Sequence, residues 1–128
     1  MKPYRKEDYL RLIYLLEEKE GIKSIEIARE LKITKASVSE MLRKLEKEGF
    51  IKKERYSKIF LTRKGKKFGE ECFDRYYLIK SFLKKYFNYD EKKAKEEAHE
   101  LEHVFSEESI QKIKGLIESS SFQPDYIN

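Results

Sequence analysis

Tyr9, Leu12, Ile13 and Leu16 recur at intervals of three and four residues, the spacing of one helical face. This predicts a first helix within residues 5–19, with Gly21 as its stop. Ser24 is placed to cap a short helix, "IEIARELK", that turns Ile27, Ala28 and Leu31 inward. After "KIT", Thr34 is the expected cap of "KASVSEMLRKLEKEG", whose buried face is Val38, Leu42 and Leu45 and whose stop is Gly49. The period then changes. "FIKKERYSKIFLT" predicts two short strands, about 50–55 and 58–61, around a "YSK" turn. Thr62 follows as the cap of a long helix from Arg63 to about Phe87, with Phe68, Cys72, Tyr76, Ile79, Leu83 and Tyr86 on its apolar side. Asp90 opens a helix of about 91–104 and Ser106 one of about 107–119. The closing "SSSFQPDYIN" has no period and is expected to be loosely ordered.

The pattern is mainly α. Three helices and a hairpin give the order of a winged helix-turn-helix, followed by a helical half. The boundary it suggests lies inside the long helix, dividing the chain into 1–70 and 71–128. Composition agrees with a folded, largely helical protein: 41% of the 128 residues are charged, yet nine Tyr and eight Phe are available for cores. A lone cysteine, Cys72, excludes an internal disulfide framework and cysteine-based zinc motifs, and its apolar setting predicts packing. No apolar run approaches the ~20 residues of a membrane span, and no signal peptide is seen, so a cytoplasmic protein is expected.

Charge changes the picture more than composition does. Residues 1–69 hold 20 Lys and Arg against 11 Asp and Glu, whereas residues 70–128 hold 9 against 13. A basic first half suits double-stranded DNA. With Val38, Leu42 and Leu45 inward, Lys35, Ala36, Ser39, Glu40 and Arg43 fall on the outer face of the second helix of the motif. Small residues at its start (Ala36, Ser37, Ser39, beside the cap Thr34) would let it sink into a major groove. Lys35 and Arg43 would reach flanking phosphates. Arg55 and Lys58, with Ser57 at the tip, make the hairpin a basic wing. Glu40 repels phosphate, so it either accepts from a cytosine amino group or points away.

The second half holds both histidines, in "HELEH", residues 99–103. On a helix His99, Glu102 and His103 share a face, giving three ligands for a divalent metal. A charged helix face with no ligand is the competing reading, and a stable site needs a further group. No catalytic triad or phosphate loop occurs, so neither an enzyme nor an organic substrate is expected.

"EDYLRLIYLL", "LTRKGKKFG" and "EEAHELEHVFS" together resemble the diphtheria toxin repressor and manganese transport regulator family of metal-dependent repressors, over almost the whole length. The resemblance implies a homodimer on a near-palindromic operator, with residues 71–128 serving dimerisation and metal binding. It adds Asp8 as a ligand beside His99, Glu102 and His103. Two imidazoles and two carboxylates suit a divalent transition metal, with Fe(II) or Mn(II) favoured by the family and Zn(II) and Co(II) also compatible. It implies regulation of metal-uptake genes, as a repressor. Three departures bear on this. Arg11 stands where the manganese branch has a carboxylate, Tyr76 where the family has a histidine, and Lys80 and Lys95 at positions of a second site, which is therefore expected to be absent. If Arg11 substitutes for the cation, the chain is instead a metal-independent winged-helix regulator with a degenerate site.

Overall fold

The computed structural model describes residues 4–17 and 20–119. The closing segment expected to be loosely ordered lies outside the described residues from position 120 onward. Among the described residues there are six α-helices and one two-stranded sheet: α1 (Lys6–Leu16), α2 (Ser24–Leu31), α3 (Lys35–Lys47), β1 (Ile51–Glu54), β2 (Lys58–Leu61), α4 (Arg63–Tyr86), α5 (Glu91–Leu101) and α6 (Glu107–Glu118). The mainly α architecture and the winged helix-turn-helix order are those the periodicity predicts. The chain divides into two compact units, Met1–Phe73 and Asp74–Asn128, and α4 runs through the boundary.

In the first unit the core is built from Tyr9, Leu10 and Ile13 of α1, Ile27, Ala28 and Leu31 of α2, Val38, Leu42 and Leu45 of α3, and Ile51, Ile59 and Leu61 of the hairpin. These are the apolar positions of each helical period, so α1, α2 and α3 bury one stripe each and leave the rest wet. β1 and β2 pair antiparallel, with Ile51 opposite Leu61 and Glu54 opposite Lys58. Ile22 bridges to Ile59 through two backbone hydrogen bonds, of 2.8 and 3.0 Å, which fix the base of the wing to the chain ahead of α2.

Local chemistry sets the element ends. Thr34 accepts a hydrogen bond from the Ser37 amide (3.1 Å), Asp90 from Lys93 (2.8 Å) and Ser106 from Ser109 (3.1 Å), three N-caps in the expected places. Thr62 accepts from the Gly65 amide (3.0 Å) and donates to the Gly49 carbonyl (2.6 Å), tying the end of α3 to the start of α4. Three expectations need correction. Ser24 is the first helical residue of α2 and not its cap; the Glu26 carboxylate instead accepts from the Lys23 amide (2.7 Å). Helix α1 ends at Leu16, ahead of Gly21, because Glu17 turns to extended backbone (φ −62°, ψ 130°) and its carboxylate accepts the Leu61 amide. Helix α5 ends at Leu101, and Glu102 to Val104 form a turn, so "HELEH" straddles a helix end.

In the second unit Tyr76, Leu78, Ile79 and Leu83 of α4, Ala94 and Ala98 of α5, and Ile110, Ile113 and Ile117 of α6 form a separate core. Glu91 staples α5 to α4 by accepting from Lys80 (2.9 Å) and Lys84 (2.8 Å). The two ammonium groups, Lys84 first, hold the Glu91 carboxyl down at about 2 against an ordinary 4.5.

Candidate nucleic-acid interface and metal centre

The outer face of α3 carries the residues its buried stripe leaves over. Val38, Leu42 and Leu45 have no exposed surface. Thr34, Lys35, Ala36, Ser37, Glu40 and Arg43 are exposed, and Ser39 is half-buried. The first turn of α3 therefore presents methyl and hydroxymethyl groups with a capped helix N-terminus beneath them. That surface admits close approach to a base edge or a phosphate.

The wing supplies a second basic surface in the same unit. Lys52, Lys53 and Arg55 are exposed and Lys58 is half-buried. Lys52 is matched by Glu54 at 3.2 Å, which leaves Lys53, Arg55 and Lys58 to set the sign of the apex. Between Arg55 and Lys58 the chain turns through Tyr56 (φ 64°) and Ser57 (φ 58°), both left-handed. Tyr56, which the "YSK" reading treated only as turn, is 79% exposed. The signal was present in the sequence: left-handed positions in a short hairpin loop favour Asn and Gly, and an aromatic residue there is out of place.

Asp8 lies in the first turn of α1 with no exposed surface. Its Oδ2 accepts the Arg5 amide at 2.7 Å, so the carboxylate is also a helix-end partner. Arg11 Nη1 stands 3.4 Å from Oδ1, one helical turn on. Burial, and after it the Asp8 charge, raise the neighbouring Tyr9 phenol above its ordinary range and keep it neutral.

In the second unit His99 and His103 are half-buried, with ring centroids 5.8 Å apart and planes perpendicular. Glu102 between them is buried to 3% exposure. Its backbone remains helical (φ −53°, ψ −37°) and its amide donates to the Ala98 carbonyl at 2.9 Å, so the ligand spacing survives the helix end. Arg75, which the sequence reading did not single out, holds this turn. Its guanidinium donates to the carbonyls of Glu102 (3.2 Å) and Phe105 and to the Glu107 carboxylate (3.2 Å). Two imidazoles and a carboxylate on one turn are donors that suit a borderline divalent cation. In the first unit the Asp8 carboxylate is an oxygen donor with a fixed cation, Arg11, already beside it.

Residues 3–59 match the iron dependent repressor N-terminal DNA binding domain, and residues 62–126 match the iron dependent repressor metal binding and dimerisation domain. The chain belongs to the iron-dependent repressor family. An HTH-type transcriptional regulator of Methanocaldococcus jannaschii is 40% identical over 88% of this chain and 91% of its own length. The HTH-type transcriptional regulator MntR of Lysinibacillus sphaericus is 33% identical over 94% of this chain and 87% of its own. The solved structure of the manganese regulator SloR superposes with a TM-score of 0.83 at 33% identity; 94% of this chain is covered but only 56% of SloR. The chain thus spans somewhat over half the length of that structure. Members of the family are metal-dependent, DNA-binding transcriptional regulators, and this chain carries both family domains, the metal-binding one including "HELEH". No helix among the described residues is long and apolar enough to cross a membrane.

Proposed function

We propose that the chain is a metal-responsive repressor of metal-uptake genes, acting in the cytoplasm as a homodimer on a near-palindromic operator. Thr34, Lys35, Ala36, Ser37, Ser39, Glu40 and Arg43 form its major-groove face, and Arg55, Ser57 and Lys58 its wing contacts. Asp8, His99, Glu102 and His103 are its metal ligands. The observation that carries this reading is the 99–103 segment, where the buried Glu102 shares a turn with two half-buried imidazoles whose rings are 5.8 Å apart, in a chain with an exposed helix-turn-helix face.

When bound, a divalent cation supplies two positive charges and directional bonds to nitrogen and carboxylate donors. His99, Glu102 and His103 would hold it together with Asp8. Asp8 belongs to the DNA-binding domain and is the only proposed ligand there. Its engagement would bias that domain toward the arrangement in which two α3 helices meet successive major grooves, and the ligand set would act on DNA affinity in that way. Mn(II) and Fe(II) are the proposed metals. The manganese regulator SloR favours the first, and the iron dependent repressor family the second.

Two substitutions test this. His103→Ala removes one of four ligands and is expected to reduce metal affinity sharply. Asp8→Asn still accepts the Arg5 amide, so α1 keeps its end. It is expected to retain weak metal binding while losing the metal's effect on DNA affinity. Titration calorimetry with Mn(II), paired with DNA-binding anisotropy, reads both. Wild-type protein that binds no divalent metal, or binds DNA equally with chelator and with metal, overturns the reading.

One observation favours a second reading. The Arg11 guanidinium already neutralises Asp8 at 3.4 Å. A chain in which that pair persists is a winged-helix regulator whose DNA affinity ignores metal. Arg11→Gln separates the two: it raises metal affinity if Arg11 competes with a cation, and leaves metal binding undetectable if the site is degenerate.

A further inference from the structure

We infer that Tyr56 is a groove-reading side chain whose ring enters the minor groove of duplex DNA, beside the major groove that α3 occupies. The inference rests on the DNA-binding reading above and deepens it. It starts from an anomaly of the backbone. Tyr56 (φ 64°, ψ 30°) and Ser57 (φ 58°) are both left-handed. Glycine and asparagine take that conformation readily, and a bulky side chain there is an outlier. Strain of this kind concentrates where a side chain must be presented to a partner.

The ring is presented, not packed. At 79% exposure Tyr56 is the most exposed of the large apolar side chains among the described residues. A tyrosine needed for the fold would be covered, and one needed only for the turn would be Asn or Gly. Its seat is rigid: Glu54 pairs with Lys58 immediately behind it, and the Ile22–Ile59 bridge holds the strand base.

The charge around it names the partner. Arg55 and Lys58 flank the apex and suit the phosphates on either lip of a groove. The ring between them is uncharged and flat. The minor groove is about 6 Å wide and shows the adenine N3 and thymine O2 acceptors, to which a phenolic O–H can donate. A tyrosine brings contact area with only two side-chain torsions to fix.

The test uses the full-length protein with Mn(II) and a duplex selected by the wild type from a random pool. Tyr56→Gly is expected to lower affinity on the order of tenfold, the cost of a mismatched base pair. The salt dependence should be unchanged, because no phosphate contact is lost. The thermal midpoint should hold or rise, since glycine relieves the left-handed strain. Tyr56→Phe, which lacks only the hydroxyl, should fall between the two in affinity. In the flank facing the wing, exchanging A·T for G·C should weaken wild type but not Tyr56→Gly. Exchanging A·T for I·C, which keeps the minor-groove acceptors without the guanine amino group, should cost neither. Tyr56→Gly binding as tightly as wild type overturns the proposal, and so does a loss that comes with a flatter salt slope. Should wild type bind no duplex at all, the regulatory reading fails and Tyr56 falls with it. Should wild type bind while Tyr56→Gly matches it, only the role of Tyr56 fails.

Discussion

Gly65 in the first turn of α4 and Gly115 in α6 are both helical glycines, and the same substitution should have opposite effects on them. A methyl group added at Gly65 would lie 1.9 Å from the Phe50 carbonyl oxygen, 2.9 Å from its carbon and 3.1 Å from Leu61 Cδ2. Carbon–oxygen contacts normally begin near ~3.3 Å, so the helix or the strand must move by roughly 1.4 Å. That carbonyl is not free to move. It accepts the Thr62 amide at 3.0 Å, and the Phe50 amide donates to Leu45 at 2.9 Å. Overpacking costs ~1–3 kcal/mol, and each hydrogen bond lost adds about 1 kcal/mol. The better helix propensity of alanine returns only about 1 kcal/mol. The net expectation for Gly65→Ala is a loss of ~2–4 kcal/mol, a fall of roughly 10 °C in thermal midpoint. Gly115 has no atom within 4 Å of the added carbon and is exposed, so Gly115→Ala should stabilise by about 0.5–1 kcal/mol. Urea unfolding of both variants followed by circular dichroism checks the pair. If Gly65→Ala matches or exceeds wild type, the close packing of α4 on the start of the wing is wrong.

Arg43→Ala and Lys58→Ala should weaken binding to every duplex and flatten the salt dependence by about one phosphate contact each, whereas changes at Ala36 or Ser39 should alter sequence preference; anisotropy at several salt concentrations separates the two classes. Glu91, whose carboxyl is held down at about 2 by Lys84 and Lys80, contributes stability that is present above its unfolded value of 4.5 and is lost as pH falls toward 2. Because half its side chain is exposed, the effect is screened. Glu91→Gln should therefore be less stable than wild type at neutral pH, and the gap should close between pH 4.5 and 2 in acid-unfolding curves.

The helices were legible because burial in this protein follows period. Val38, Leu42 and Leu45, or Tyr76, Ile79 and Leu83, recur at three or four residues and are buried where they recur. Thr34, Asp90 and Ser106 announced their helices because a short oxygen side chain before a periodic run has few other uses. Ser24 misled for the same reason: the cap there is made in reverse, by a carboxylate three residues on from Lys23, and Glu26 was the residue to read. The early end of α1 depends on Glu17 reaching a wing amide 44 residues away, a tertiary contact that no local window contains.

The site was legible to a different depth. Residues 99–103 declare themselves by spacing, since both histidines and an acidic residue fall on one turn. Asp8 does not. Nothing local distinguishes it from Glu7 beside it, and its structural role at the start of α1 would by itself account for its burial. It entered through resemblance alone, and its proximity to Arg11 makes it the residue that separates the two proposed readings. The Asp8 carboxylate already closes a helix and faces a guanidinium, two partners that any cation would have to balance. Under the proposed ligand set it would serve a metal only by sharing or releasing Arg11. A guanidinium one turn away would then set how much metal is needed for a response, and under the metal-independent reading the same guanidinium would simply hold Asp8 in place of a cation.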